Sequence, residues 1–205
     1  MFDAAAPETI PSWQVRGRIS IWEILQFARI LHHSQANQLQ HGWGAIITEA
    51  VGRGNRDFRI AGMYIEFENM ADPSDPVAVP TFDRDEGIDY YNDLASSSVR
   101  DFLRIPLVAA PAISIAAGYD GSFIDGVTGN VMTFFAQTGG TQGFHGKTFS
   151  DSTNSKVFGA ALVAMPNFSD QSRDLVFART YLDVAGQIPK SPSSQIGVTW
   201  EVVLE

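Results

Sequence analysis

The chain has 205 residues, a formal net charge of −9 and no cysteine. The lack of cysteine excludes disulfide frameworks, thiolate catalysis and cysteine-based zinc sites, and the acidic balance disfavours nucleic acid, because a negative surface repels phosphate. An apolar fraction of 44% is enough for a packed core in a single domain, and no stretch approaches the ~20 apolar residues that a membrane helix needs.

Residues 1–19 are predicted to form an extended N-terminal arm. Pro7 and Pro11 disfavour a helix there, and the apolar residues of this stretch do not alternate regularly. The stretch has neither a positive start nor a long apolar core, so it is not typical of a signal peptide, and we expect synthesis in a cytoplasm. The globular domain is then expected to span residues 20–205.

Two helices are predicted within about residues 20–51. Ser20 and Glu23 have the spacing of a capping box. The apolar residues that follow at helical spacing are Ile21, Ile24, Leu25, Ala28 and Leu31. A second helical face comprises Leu39, Trp43, Ile46, Ile47, Ala50 and Val51. Gly52 or Gly54 is a suitable C-terminal stop for that second helix.

From residue 58 onward the pattern becomes that of β-strands. The predicted strands are residues 58–67, 102–108, 112–117, 131–136, 157–165, 175–184 and 196–204. Segments rich in Gly, Asn, Ser and Pro separate the later strands, and no helical pattern lies between them. This β-rich region, residues 58–205, indicates an α+β, mainly β fold. We expect an antiparallel β-sandwich or barrel with one or two N-terminal helices and the extended arm.

The segment GGTQGFHGKT, residues 139–148, has a partial likeness to a phosphate-binding loop. Counted back from Gly146, the first glycine of that motif falls on Thr141, so the spacing fails. The residues that follow are typical of a turn, and a turn does not supply the helix N-terminus that such a loop needs. We therefore do not predict nucleotide binding.

Residues 137–156 are interpreted instead as a long polar connection between two apolar strands. Connections of this length usually bind something or are held by a partner. Phe144 and Phe149 lie within it, and each either folds back onto its own domain or docks on another chain. Both alternatives stay open.

Other polar groups have simpler explanations than a catalytic or metal site. The acidic stretch TFDRDEG, residues 81–87, lacks the spacing of an EF-hand, and the four histidines show no HExxH pattern. Glu66 and Glu68 share a strand face, as a glycosidase pair does, but a proline-rich loop follows directly. We assign no catalytic, cofactor-binding or metal-binding residue, and we expect a protein without enzyme activity.

Four stretches carry a resemblance to a group of known proteins. GMYIEFENM, PTFDRDEGIDYYNDLASS, RDFLRIPL and SQIGVTWEVVLE resemble parts of uncharacterised virion structural proteins of tailed bacteriophages, over about residues 35–205. Such proteins decorate capsids or build tail, neck and fibre attachments. The resemblance implies a virion component that is made in the cytoplasm of the bacterial host, and it implies no catalytic residue.

We expect a homo-oligomer, with cyclic symmetry, that binds other virion proteins of the head shell or tail through its arm and long loops. Aromatic residues dominate interface energy, so the predicted contact residues are Phe2, Ile10, Trp13, Phe144 and Phe149. Packing of Trp13 on its own domain stays an alternative. Neither nucleic acid nor a membrane is an expected partner.

Two further hypotheses stay open. One is a carbohydrate- or receptor-binding β-domain of a phage fibre, although no motif supports glycan binding. The other is an enzyme whose site is assembled from residues far apart in the sequence.

Overall fold

The computed structural model describes residues 15–36, 38–39, 42–55, 59–70, 101–114, 129–138, 154–166, 174–189 and 195–204. These residues form mainly antiparallel strands. The strands are β1 (Val15–Ile24), β2 (Arg29–Ala36), β3 (Gln38–Leu39), β4 (Ile60–Met70), β5 (Asp101–Pro106), β6 (Ala112–Ser114), β7 (Val131–Gln137), β8 (Asn154–Ala164), β9 (Leu175–Tyr181), β10 (Ile188–Pro189) and β11 (Gln195–Leu204). The helical elements are α1 (Gly42–Ile47), the π-helical turn Thr48–Gly52 and the 3₁₀ turn Val184–Gly186.

The strands are arranged in two sheets. The first sheet has the order β2-β1-β11-β7-β6, and the second has the order β3-β9-β8-β4-β5 with β10 paired to β8. The two sheets are connected to each other at both of their edges. On one side β2 pairs with β1 and β3 pairs with β9, and on the other side Leu107, just after β5, bridges to Ala136 of β7.

A shared apolar core lies between the two sheets. Ile19 and Ile21 of β1 are fully buried and stand opposite Trp200 and Val198 of β11. The same core cluster contains residues of β4, β5, β8 and β9 from the second sheet. Burial of one such side chain contributes roughly 1.5–3 kcal/mol. Two antiparallel sheets with a common core are consistent with a β-sandwich.

The second sheet is buried on both of its faces. Met63 and Ile65 of β4 point into the shared core, whereas Tyr64, between them, belongs to a second cluster that includes Phe102 and Val163. The rings of Tyr64 and Phe102 stack with their centroids 4.5 Å apart. This double burial explains why the sequence of β4 has large apolar residues without strict alternation.

The predicted strands after residue 58 are confirmed. Each of the seven predicted segments overlaps one of the observed strands β4, β5, β6, β7, β8, β9 and β11. The described residues therefore have the mainly β fold that the sequence predicts.

The first predicted helix is wrong, because residues 20–31 lie in a hairpin of two strands. The backbone N–H of Leu25 donates to the carbonyl of Ala28 at 2.8 Å and closes the turn between β1 and β2. Ser20 caps no helix, and its Oγ lies 3.2 Å from Oγ of Ser34 on the neighbouring strand. β1 is held on both sides, by β2 and by β11, and this pairing overrides the local helical spacing.

The boundary of the predicted arm is also wrong. Val15 is the first residue of β1 and stands opposite Leu204, so residues 15–19 belong to the first sheet. Residues 1–14 lie outside the described residues. The second predicted helix is shorter than expected, since α1 has six residues and continues as a π-helical turn.

Candidate functional site

None of the five predicted contact residues lies in the described part of the chain. They are Phe2, Ile10, Trp13, Phe144 and Phe149. The loop of residues 139–148 and the acidic stretch of residues 81–87 also lie outside it. The candidate functional site therefore consists of other residues.

The β1–β2 hairpin (residues 15–36) presents apolar side chains to solvent. The exposed large hydrophobic residues in the described ranges are Phe27, Ile30, Leu31, Val108, Ile113 and Val184. Half of them lie on this hairpin. Phe27, in the turn, is 92% exposed, and Leu31 is 48% exposed. Leu25, Gln26, Phe27 and Ala28 also line an open depression at the surface.

The hairpin is fixed to the rest of the protein at its base. The side-chain amide of Gln35 donates to the carbonyl of Tyr181 at 3.0 Å and to the hydroxyl of Thr180, both on β9. Oε1 of Gln35 also accepts from Nε2 of His33 at 2.6 Å, and the His33 ring packs against Gly186. A side chain at Gly186 would lie 2.8 Å from Nδ1 of His33. These contacts join the first sheet to the second, so the hairpin projects from a fixed base.

The hairpin carries a net positive charge in an acidic protein. Its charged residues are Arg16, Arg18, Arg29 and Glu23, a formal charge of +2 with the histidines neutral. Because the whole chain carries −9, the other residues carry −11, which is −9 minus +2. All three arginines are exposed. Oε2 of Glu23 lies 2.9 Å from Nε2 of His32.

Ile24 and Phe135 are half-buried apolar residues near the turn between β1 and β2, on the solvent-facing side of the first sheet. Gly197 of β11 leaves room there for two side chains, since a Cβ at that position would lie 2.7 Å from Cδ1 of Ile24 and 3.2 Å from Cε2 of Phe135. The guanidinium carbon of Arg29 lies 5.7 Å from the centre of the Phe135 ring. The apolar surface of the hairpin therefore continues onto the neighbouring strands.

A buried ionic group lies on the other side of the molecule, in the second sheet. Asp174 accepts from Nε of Arg104 at 2.6 Å and from Nη2 of Arg104 at 2.8 Å. The hydroxyl of Tyr64 donates to the same carboxylate. The Arg104 and Asp174 side chains are each 1% exposed. A bidentate ion pair with a third hydrogen bond to the carboxylate offsets much of the desolvation free energy that burial of two charges costs.

The pKa values of this group follow from its burial. Burial raises the pKa of the Tyr64 hydroxyl well above its ordinary value, and the hydrogen bond to Asp174 raises it further. For Arg104, burial alone would lower the pKa, but the hydrogen bonds and the charge of Asp174 outweigh burial and raise it. Tyr64 is therefore neutral and Arg104 charged throughout the ordinary pH range.

Glu66 belongs to a second buried pair, with Arg179. Its Oε1 lies 3.6 Å from Nε of Arg179, and the two side chains are 1% and 5% exposed. Arg179 also lies over the ring of Tyr181, 4.3 Å from the ring centre. Gly159 makes space for this arrangement, since a Cβ there would lie 3.3 Å from Oε1 of Glu66. The side chain of Glu68, its predicted companion, lies outside the described residues.

The described residues contain no group of three or more His, Asp or Glu side chains that fits a metal ion. In the same ranges, no helix is both long enough and apolar enough to cross a membrane. The two histidines described, His32 and His33, contact Glu23 and Gln35 within the hairpin.

The sequence interpretation missed Phe27 because it placed residues 20–31 in a helix. The signal was present in β1, where Ile19 and Ile21 alternate with Arg18 and Ser20. Read with a period of two, this stretch predicts a half-buried strand. Phe27 would then fall in the turn that follows.

Comparison with known proteins adds no relatives. No protein-family model matches the chain, and no curated protein and no solved structure matches it. The resemblance of residues 35–205 to virion structural proteins therefore stays a prediction.

Proposed function

We propose that this chain is a non-enzymatic structural component of a tailed-phage virion that associates with copies of itself and binds the head shell or tail. The virion context rests on the resemblance of residues 35–205. The assembly part rests on one observation, the 92% exposure of Phe27 at the tip of a hairpin. In this proposal the protein acts by burying part of its surface in interfaces with other proteins.

The exposure of Phe27 supports an assembly role for a physical reason. A lone exposed apolar residue is ordinary, but Phe27 is close in the chain to Ile30 and Leu31, which are 43% and 48% exposed. As consecutive strand residues, Ile30 and Leu31 present one exposed apolar group on each face of β2, and exposed apolar groups that lie close together are typical of protein–protein sites. An aromatic residue in such a group is the kind of side chain that dominates interface energy. The predicted arm and long loops would add contact surface.

The experiment is sedimentation velocity of the full chain at increasing concentrations, with Phe27→Ala as the test variant. We expect the wild-type protein to form a discrete oligomer and the variant to require a higher concentration. Arg53→Gln, a change at an exposed site outside the hairpin, serves as a control for handling and folding. A wild-type protein that stays monomeric at every concentration, with no binding to virion proteins, would contradict the proposal.

A second candidate function is glycan or receptor binding by the solvent-facing side of the first sheet. Trp22 and Phe135 are half-buried there, on either side of Gly197. Gln137 and Gln195, whose side-chain amides bond to each other, lie on the same side. Aromatic rings next to planar amides suit a sugar surface. A glycan array with wild type and Trp22→Ala tests this function, and silence of the wild-type protein across the array counts against it.

A further inference from the structure

The edge of the first sheet furthest from the hairpin is apolar and exposed. Its end strand among the described residues is β6, which has three residues. Val108 and Ile113 are 62% and 49% exposed, and the alanines at positions 109, 110 and 112 are exposed as well. No residue in the range 108–113, which we call the β6 edge, is charged. An uncovered sheet edge of this kind favours contact with another chain segment.

The shared core is open at the β6 edge. On the core side of the first sheet, Val202 stands opposite Met132, and Met132 stands opposite Ile113. Exposure rises along this row, because Val202 is fully buried, Met132 is half-buried and Ile113 is 49% exposed. The row of apolar side chains therefore extends beyond the fully buried core. A further apolar side chain placed against Ile113 would add to that core.

The chain enters the first sheet at the end where β6 finishes. Arg16, Val203, Val131 and Ser114 form one row across β1, β11, β7 and β6. Neighbouring strands lie about 4.8 Å apart, so three steps separate β1 from β6 by about 14 Å. The segment that precedes Val15 therefore joins the sheet a short distance from the β6 edge.

Reach distinguishes the two large apolar residues nearest to β1 in this segment. An extended chain spans at most ~3.3–3.6 Å per residue. Trp13 is two residues from Val15, so its Cα lies within ~7 Å of the start of β1 and short of β6. Ile10 is five residues from Val15, and its limit of ~17 Å includes the near end of β6. Ile10 also precedes Pro11, which favours an extended backbone at Ile10.

The composition of the segment suits an apolar site. Residues 9–14, TIPSWQ, contain no charged side chain. The β6 edge contains none either, so contact between the two avoids the large free-energy cost of burying a charge. A tethered segment that spans the distance to its site has an effective concentration on the order of millimolar there. The segment of the same chain is therefore favoured over segments of other copies.

We infer that the arm of each chain crosses the end of the first sheet and that Ile10 packs against Ile113 at the β6 edge of the same chain. The inference does not depend on the self-association proposed above. It gives the arm the role of covering an exposed edge and completing the core there. The hairpin, at the other edge of the sheet, stays exposed for contacts with other proteins.

The decisive experiment uses a disulfide bond, because the chain has no cysteine of its own. The test variant is Ile10→Cys/Ile113→Cys, and the matched control is Ile10→Cys/Leu31→Cys. Leu31 is 48% exposed, almost the same as Ile113. It stands opposite Trp22, about 23 Å along β1 from Val15 and so beyond the ~17 Å that Ile10 reaches.

The two variants are oxidised mildly as dilute protein, and the fraction of free thiols is followed by alkylation and mass spectrometry. We expect the test variant to form its disulfide within one chain at least about tenfold faster than the control, because docking raises the local thiol concentration. A non-reducing gel should then show no covalent dimer.

Equal rates of disulfide formation in the two variants would overturn the inference. A disulfide between positions 10 and 113 of two different chains would show that a neighbour's arm occupies the edge, and this outcome would overturn the assignment to the same chain. Either result leaves the proposed function standing, since sedimentation of the wild-type protein tests self-association separately.

Hydrogen exchange provides a second measurement without cysteines. Ile10→Asp is the test variant, and Ser12→Asp adds the same charge two residues away as its control. We expect the amides of the β6 edge to exchange about tenfold faster in Ile10→Asp, the order of effect that loss of one buried aliphatic side chain has on an equilibrium. Amides of the hairpin, and all amides in Ser12→Asp, should keep their wild-type rates. The absence of a selective increase at the β6 edge would overturn the inference.

Discussion

Arg104 and Asp174 are 70 residues apart in the chain and are joined by two hydrogen bonds inside the protein, at 2.6 and 2.8 Å. The pair connects β5 with the residue that precedes β9. Tyr64, on β4, the neighbour of β5 in the second sheet, completes the group. The described region thus contains a charged group that serves the fold and an apolar hairpin that faces solvent.

Removal of one partner of this pair is expected to be costly. Asp174→Asn leaves the charge of Arg104 buried without compensation, and we expect the free energy of unfolding to fall by about 3–5 kcal/mol. Urea denaturation measures the loss. Arg53→Gln is the control, since the Arg53–Glu49 pair is exposed and its loss costs about 0–1 kcal/mol. Similar losses in the two variants would contradict the view that burial gives the Arg104–Asp174 pair its importance.

Stability at high pH should depend on Tyr64. Its folded-state pKa is raised above the ordinary value of 10.0, so the folded protein keeps a proton that the unfolded chain releases. The contribution is therefore complete below about pH 10 and falls above it by up to ~1.4 kcal/mol per pH unit. In Tyr64→Phe this part of the fall should be absent, as measured by urea denaturation from neutral to alkaline pH. Parallel curves for wild type and variant would refute the assignment.

A methyl group at Gly62 should destabilise the second sheet. A Cβ there would lie 2.5 Å from the carbonyl oxygen of Ile105 and against the side chain of Met165. We expect Gly62→Ala to lower the thermal midpoint, with a loss of about 1–3 kcal/mol or more. Gly44→Ala is the matched control, because nothing lies within 4 Å of a Cβ at Gly44 in α1. That change should stabilise the protein by roughly 0.5–1 kcal/mol, and a reversed order would contradict the packing described.

Two phenylalanines should differ widely in their response to the same substitution. Phe134 is 2% exposed and Phe27 is 92% exposed. Phe134→Ala is expected to lower the free energy of unfolding by about 3–5 kcal/mol, whereas Phe27→Ala should change it by less than ~0.5 kcal/mol. Denaturation of dilute, unassociated protein checks both values. A large loss in Phe27→Ala would mean that the tip of the hairpin packs on its own chain.

The strands after residue 58 were predictable because their local composition leaves few alternatives. In residues 62–67 and 157–165, large apolar and small residues follow one another with no polar face, and turn-forming residues interrupt them at strand-like intervals. A short apolar run of this kind is best accommodated in a buried sheet. Local pattern was therefore sufficient for the mainly β class.

The sequence of the hairpin is ambiguous, because Ile21, Ile24 and Leu31 satisfy a helical spacing as well as positions in two strands. The choice depends on β11, whose Trp200 and Val198 stand opposite Ile19 and Ile21. These partners lie about 180 residues further along the chain. A pairing at that separation has no signature in a local window.

By itself, the sequence determined the acidic charge, the absence of thiol chemistry and the strand-rich character of residues 58–205, because these depend on composition and short-range pattern. Tertiary structure decided that residues 15–36 form a hairpin, that Phe27 faces solvent, and that Glu66, Arg104 and Asp174 are buried in ion pairs. The physical reason is the same in each case. Strand partners and charge partners are distant in the chain, and only the assembled sheets bring them within hydrogen-bonding distance.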